Sequence, residues 1–188
     1  MNTLIQWDTD LFLYLNGMGT PFWDPFWEAI AGTAIWIPFY AFLLFILFRT
    51  LSLKSFGIAV LCIALNVVFT DQGSVQLFKE QVQRLRPCHN EAIQEQVREV
   101  EGCGGKYGFV SSHASNVFGL AMLLSLLYRG KNRKTLVWGL FIWASVVGYS
   151  RIYLGKHYPL DVIAGAGLGV LCGLLSYQIF RWIGGRHE

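Results

Sequence analysis

The 188-residue chain is 54% hydrophobic and 15% aromatic but only 14% charged, against about 25% charge in an ordinary soluble domain. That balance excludes a water-soluble globule and points to an all-α, polytopic bundle of transmembrane helices forming a single domain over residues 1–188. The net charge of +3 comes without a basic stripe interleaved with aromatics, which excludes nucleic acid as a partner.

The first segment, Leu4 to Leu15, is too short and too acidic to count securely as a span, and it lacks the basic start and cleavage site of a signal peptide. Residues 1–28 carry Asp8, Asp10, Asp24 and Glu28 and no Lys or Arg, so they are expected on the outer surface or as an extra helix. Five runs nearly free of charge follow: Ala29 to Phe48, Ser55 to Thr70, Val117 to Tyr128, Leu136 to Tyr149 and Val162 to Ile179. A spanning helix needs roughly 20 apolar residues, fewer where protein shields its polar ends. Five spans are expected, or six if the first segment crosses.

The connections orient these spans. Arg49 and Lys54, then Arg129, Lys131, Arg133 and Lys134, then Arg181 and Arg186 fall on one side, which the positive-inside rule makes cytoplasmic. All twelve acidic residues except Glu188 then belong to the opposite half. Lys79, Arg84, Arg86, Arg98, Lys106, Arg151 and Lys156 also lie at that outer face, where orientation gives no reason for cations. Solvated loop charge accounts for some, Arg98 among the acids of Glu91 to Glu101 in particular; an anionic ligand accounts for the rest. The expected location is a bacterial cytoplasmic (inner) membrane, with the pocket facing the periplasm or exterior.

Three clusters carry chemistry. Lys79 and Arg86 are seven residues apart, two helical turns, so one helix would present both on one face until Pro87 ends it. Both also read as cations snorkelling at a membrane edge. Asp71 and Gln76, nearer the membrane, are expected to be buried and bonded within the bundle. Val110-Ser111-Ser112-His113 opens the third span, where free backbone N–H groups and the positive dipole end favour an anion. Ser111 also reads as a plain N-cap. In the third cluster, Ser150 to Asp161, Arg151 offers a planar fork for phosphate oxygens. His157 and Asp161 are four apart, so the carboxylate can fix the imidazole tautomer and leave the other nitrogen as nucleophile. An alternating-direction topology puts all three clusters at the same membrane face.

Between the first two clusters runs one long outer loop, residues 87–109, holding Cys88 and Cys103. In an oxidising compartment a disulfide is expected, with zinc binding by Cys88, His89 and Cys103 as the competing reading. Cys62 and Cys172 read as small packing residues. Trp7, Trp23, Trp27, Trp36, Trp138 and Trp182 stand near span ends as an interfacial belt. Gly165, Gly169 and Gly173 form a small-residue ridge, open either to packing inside the bundle or to homodimerisation.

Lys79-x6-Arg86-Pro87, Ser111-x-His113 and Ser150-Arg151-x5-His157-x3-Asp161 together resemble the three-part signature of the type 2 phosphatidic acid phosphatase superfamily, over roughly Phe56 to Ile179. One departure stands out: the middle motif usually reads Pro-Ser-Gly-His, where this chain has Val110 and Ser112 in place of Pro and Gly. The resemblance implies a metal-independent membrane lipid phosphatase with no cofactor. His157 would be the nucleophile, Asp161 its orienting carboxylate and His113 the proton carrier; Lys79, Arg86, Arg151, Ser111 and Ser112 would bind phosphate. Undecaprenyl pyrophosphate is the first expected substrate; lipid A phosphate, phosphatidylglycerol phosphate and phosphatidic acid are alternatives. A non-catalytic protein that binds lipid phosphates is the alternative class.

Overall fold

A computed structural model describes residues 3–184. Arg186 and Glu188 lie outside the described residues. Helix α1 (Thr3–Gly17) is amphipathic, with Phe12 and Asn16 fully buried. The Asn16 amide donates to the carbonyls of Ile152 and Tyr153 and accepts from the Arg98 N–H. It thereby satisfies two of the carbonyls a helix end leaves open and docks α1 against the C-terminal end of the helix that closes at Tyr153.

The first apolar run is broken. Helix α2 (Asp24–Ala31) stops at Gly32, whose extended backbone (ψ 146°) leaves the helical region. One 3-10 turn (Ala34–Trp36) then leads into α3 (Ile37–Thr50), which has Pro38 in its first turn. The two halves meet at 68°, and Trp36 Nε1 donates to the freed Ile30 carbonyl.

Helix α4 (Leu53–Gln72), capped by the Ser52 hydroxyl, widens into π-helical turns over Gly73–Lys79 and closes as the short α5 (Glu80–Val82). At 1.5 Å per residue this continuous rod is about 45 Å long, enough to carry Lys79 beyond the ~30 Å hydrocarbon layer. Gln83 adopts a left-handed conformation and ends it. The long loop over residues 87–109 follows, with Cys88 and Cys103 joined as a disulfide at a Cα–Cα distance of 5.9 Å. Then come α6 (Ser112–Leu127), α7 (Arg133–Tyr153) and α8 (Pro159–Trp182).

By length and composition, Leu53–Val82, Arg133–Tyr153 and Pro159–Trp182 can cross a membrane, and the bent pair α2/α3 makes a fourth if it is one span. Against the expectation of five or six, the first run is interrupted at Gly32 and α6 is a shorter apolar helix. Helix α6 is the hub, packed on α8, α7 and α4. Leu43, Leu47, Cys62, Leu124, Leu140, Trp143 and Phe180 close the main core around it.

The glycine ridge of α8 faces α6, not the lipid. A β-carbon on Gly165 would lie 2.6 Å from the Ser111 carbonyl, and one on Gly173 2.6 Å from that of Gly119. All three ridge glycines are buried, so this surface is not free to form the homodimer considered from the sequence. Two further expectations change. Gln76 is exposed and bonds Gln72 one turn back, because the widened turns rotate it outward. Arg98 is not a solvated loop charge: its guanidinium pairs with Asp24 at 2.5 Å.

Candidate active site

The segment from Arg151 to Asp161 is folded by its own backbone. Arg151, in the last turn of α7, is buried, and its carbonyl accepts from the N–H groups of both Lys156 and His157. Gly155 makes this turn at φ +79°, with the Arg98 carbonyl only 2.9 Å from where a β-carbon would sit, a place no other residue fits without strain. Pro159 starts α8. Asp161, in its first turn, reaches back to accept the Tyr158 N–H at 3.0 Å, one half of a capping box.

That capping geometry aims the carboxylate at the imidazole. Asp161 Oδ2 lies 3.5 Å from His157 Nδ1, with the two side chains 0% and 2% exposed. The separation is longer than an ordinary hydrogen bond, and Nδ1 has no other partner among the described residues. Burial pushes the His157 pKa down to about 4; Asp161 opposes the shift, and the fields of Arg86 and Arg151 add to it. The ring is therefore neutral at physiological pH and has a free lone pair.

The other two clusters arrive at the same place. The Ser111 N–H donates to the Asp161 backbone carbonyl at 3.0 Å, joining the start of α6 to the start of α8. Ser111 is fully buried and acts as N-cap, its hydroxyl accepting the Ala114 N–H. Ser112 accepts from Lys79 Nζ at 2.7 Å and shares a 2.6 Å contact with the Ser74 hydroxyl. The side chain that replaces the family's usual glycine thus pins the lysine to the amide end of α6. His113 lies within the electrostatic reach of Arg151, His157, Lys156 and Lys79.

Arg86 reaches the site by another route than expected. Lys79 and Arg86 do not share a helical face, since the helix stops at Val82 and Arg86 is extended (φ −65°, ψ 156°). Pro87 is the cause, because the residue before proline is driven out of the α region. The Arg86 N–H bonds the Lys106 carbonyl, and its side chain donates to the carbonyls of Tyr107 and Cys103. Next to it, Gly108 runs over the His157–Asp161 pair: a β-carbon there would stand 3.0 Å from Asp161 Oδ2 and 3.6 Å from His157 Nδ1.

Three contributors escaped the sequence reading. Arg84 bridges Asp161 Oδ1 at 2.9 Å and Asp8 Oδ2 at 2.6 Å, with its guanidinium 3.9 Å above the Tyr158 ring. Asp8 Oδ1 in turn accepts the Leu160 N–H at 2.9 Å. Lys156 bonds Glu101 at 2.7 Å and ties the 87–109 loop to the site. The available signal was an N-terminal segment holding only acids opposite a loop holding surplus cations. Because Cys88 and Cys103 are disulfide-bonded, neither thiolate is free to serve the zinc reading, and no metal-ligating group of His, Cys, Asp and Glu occurs among the described residues.

An apolar cavity of about 480 Å³ opens beside His113, walled by the α2–α3 bend, α4 and α6, with Trp36, Tyr40, Leu43, Ile63, Val67 and Leu120 on its surface. An anion site next to a hydrocarbon-lined cavity suits a phosphate carried on a lipid.

The family model of the PAP2 superfamily matches residues 56–184, and the chain belongs to that superfamily. It is a lipid phosphatase, a hydrolase. A lipid A 4'-phosphatase of Bacteroides thetaiotaomicron is 42% identical over 174 residues, covering 92% of this chain and 76% of the relative. A second, from Porphyromonas gingivalis, is 34% identical over 190 residues, covering 98% and 79%. The crystal structure of Aquifex aeolicus LpxE superposes with a TM-score of 0.64 at 25% identity, covering 90% of this chain and 93% of that one. The undecaprenyl-diphosphatase BcrC of Bacillus subtilis matches over 37% of this chain and 34% of its own length, at 36% identity.

Proposed function

We propose that this chain is a bacterial inner-membrane phosphatase that removes a phosphate monoester from lipid A at the outer face, through a phosphohistidine. The observation that carries the substrate is the likeness to two lipid A 4'-phosphatases along 92% and 98% of the chain. Lipid A phosphate therefore moves ahead of undecaprenyl pyrophosphate, the first expectation from sequence, whose phosphatase matches only about a third of the chain. The outer-face assignment rests on the cation distribution and on α4 carrying Lys79 to the end of the rod opposite Lys54. The shorter α6 completes a fifth span because α4, α7 and α8 shield its ends.

His157 Nε2 attacks phosphorus while Asp161 holds the Nδ1 proton, the 3.5 Å contact shortening as positive charge builds on the ring. His113 gives its proton to the leaving lipid oxygen. The same imidazole then takes a proton from water, which displaces phosphate from His157 and restores both rings. Lys79, Arg86, Arg151 and the backbone amide of Ser112 hold the equatorial oxygens as charge redistributes, while the Ser111 N–H stays on the Asp161 carbonyl. Arg151 Nε, buried without a partner among the described residues, is suited to one of those oxygens.

The test is phosphate release in detergent from lipid A, undecaprenyl pyrophosphate, phosphatidylglycerol phosphate and phosphatidic acid, with and without EDTA. Lipid A should give the highest kcat/KM, and EDTA should change nothing. A tenfold preference for undecaprenyl pyrophosphate would overturn the substrate. A chelator-sensitive rate restored by Mg²⁺ would overturn the mechanism.

A further inference from the structure

The cavity beside His113 is hydrocarbon-lined except at a few points. Its polar lining groups are His113, Asn116 and the hydroxyls of Thr33 and Tyr40; the Trp36 N–H is already given to Ile30. Asn116 therefore supplies the one carboxamide. It stands three residues after His113 on α6, so it shares that face and lies about 4.5 Å deeper along the helix. Its Oδ1 accepts from the Thr70 hydroxyl of α4, which also lies within reach of the Asn66 and Val67 carbonyls. Its Nδ2 protons have no partner among the described residues. Asn116 lines the cavity and is half-buried, so its N–H₂ meets water when the site is empty, and a ligand acceptor can take that water's place.

Resting on the function proposed above, we infer that Asn116 is a specificity-determining residue whose amide donates to a carbonyl of the substrate's acyl linkage. The chemistry follows from depth. His113 meets the oxygen that leaves phosphorus, and the next polar group of the lipid falls about one helical turn further in. In an acylated lipid phosphate, an ester or amide carbonyl lies a few bonds from that oxygen, within reach of Asn116. In a polyprenyl diphosphate the leaving oxygen carries a second phosphate and then only hydrocarbon, so no carbonyl is offered to the amide. Asn116 thus reads an acyl carbonyl beside the leaving oxygen and leaves the transferred phosphate to the cations. The size of the effect is that of one neutral hydrogen bond at a solvent-accessible edge, roughly 3- to 10-fold in kcat/KM.

Two synthetic probes test this: a phosphorylated glucosamine bearing ester-linked chains and its ether-linked counterpart of equal chain length, which lacks the carbonyls. Wild-type enzyme should prefer the ester by roughly 3- to 10-fold, and in Asn116→Leu the ester-to-ether ratio should fall to near one. The ratio is taken within one preparation, so a smaller folded fraction leaves it unchanged. A wild-type ratio near one overturns the assignment whatever the variant does, and a ratio retained in Asn116→Leu overturns it too. Release of phosphate from neither probe would instead sink the function on which it rests.

Discussion

Arg84 is the sharpest test of how the site is held together. Its two Nη atoms donate to Asp161 Oδ1 at 2.9 Å and Asp8 Oδ2 at 2.6 Å; the two aspartate side chains are 0% and 2% exposed and the arginine side chain 20%. Replacing it with Met keeps the stem over Tyr158 but removes both bonds and leaves two buried carboxylates facing each other's charge. Breaking a fully buried pair costs about 3–5 kcal/mol; water at the arginine reduces that to roughly 2–3 kcal/mol. Part of the loss falls on stability and part on the orientation of Asp161, for which one charged hydrogen bond corresponds to about 10- to 100-fold in kcat. Since Arg84 acts through Asp161, KM for the lipid should stay within about twofold. The assay is a double-mutant cycle on lipid phosphate hydrolysis. Arg84→Met combined with Asp161→Asn should be no slower than Asp161→Asn alone. Additive losses, or a large rise in KM with kcat intact, would refute the positioning role and make Arg84 a direct phosphate ligand.

Three more outcomes are expected. Burial holds the folded His157 pKa near 4, below its ordinary 6.5, so the unfolded chain binds the extra proton first. The stability this histidine contributes is present above pH 6.5 and is lost as pH falls toward 4; thermal unfolding in detergent should be less acid-sensitive in His157→Gln than in wild type. Gly169→Ala puts a methyl against the Ser115 carbonyl and the Gly119 amide of α6, and should destabilise by about 1–3 kcal/mol while the exposed Gly139→Ala does not. Reducing Cys88–Cys103, fifteen residues apart, should remove roughly 3 kcal/mol of loop restraint; a melting temperature unchanged by reductant would contradict it.

The parts of the site that sequence made legible share a property: each chemical group sits within a few residues of its partner or of a helix boundary. His157 and Asp161 are linked by a single turn, and Ser111–His113 opens a helix at an abrupt change from Gly-rich loop to apolar run. Arg84 and Asp8 were hidden because their partners are 77 and 76 residues away, and no local spacing encodes such a bond. The seven-residue spacing of Lys79 and Arg86 fits two turns of helix, but Pro87 acts backward on Arg86 and the loop delivers it instead. Hydropathy merged α2 and α3 because Gly32 and Thr33 are not polar enough to register as a break. The glycine ridge pointed to close helix approach, and only the tertiary packing of α6 determined which helix approached it.

The central claim is that phosphate passes through His157. Rapid-quench of the enzyme with ³²P-labelled lipid phosphate should trap a phosphoryl group on the protein that survives alkali and is lost in acid. It should be absent from His157→Ala; in His113→Ala, which lacks both the acid for the leaving oxygen and the base for water, it should form and decay more slowly than in wild type. Label retained in His157→Ala, or a hydrolytically competent wild type that never carries label, would contradict the account.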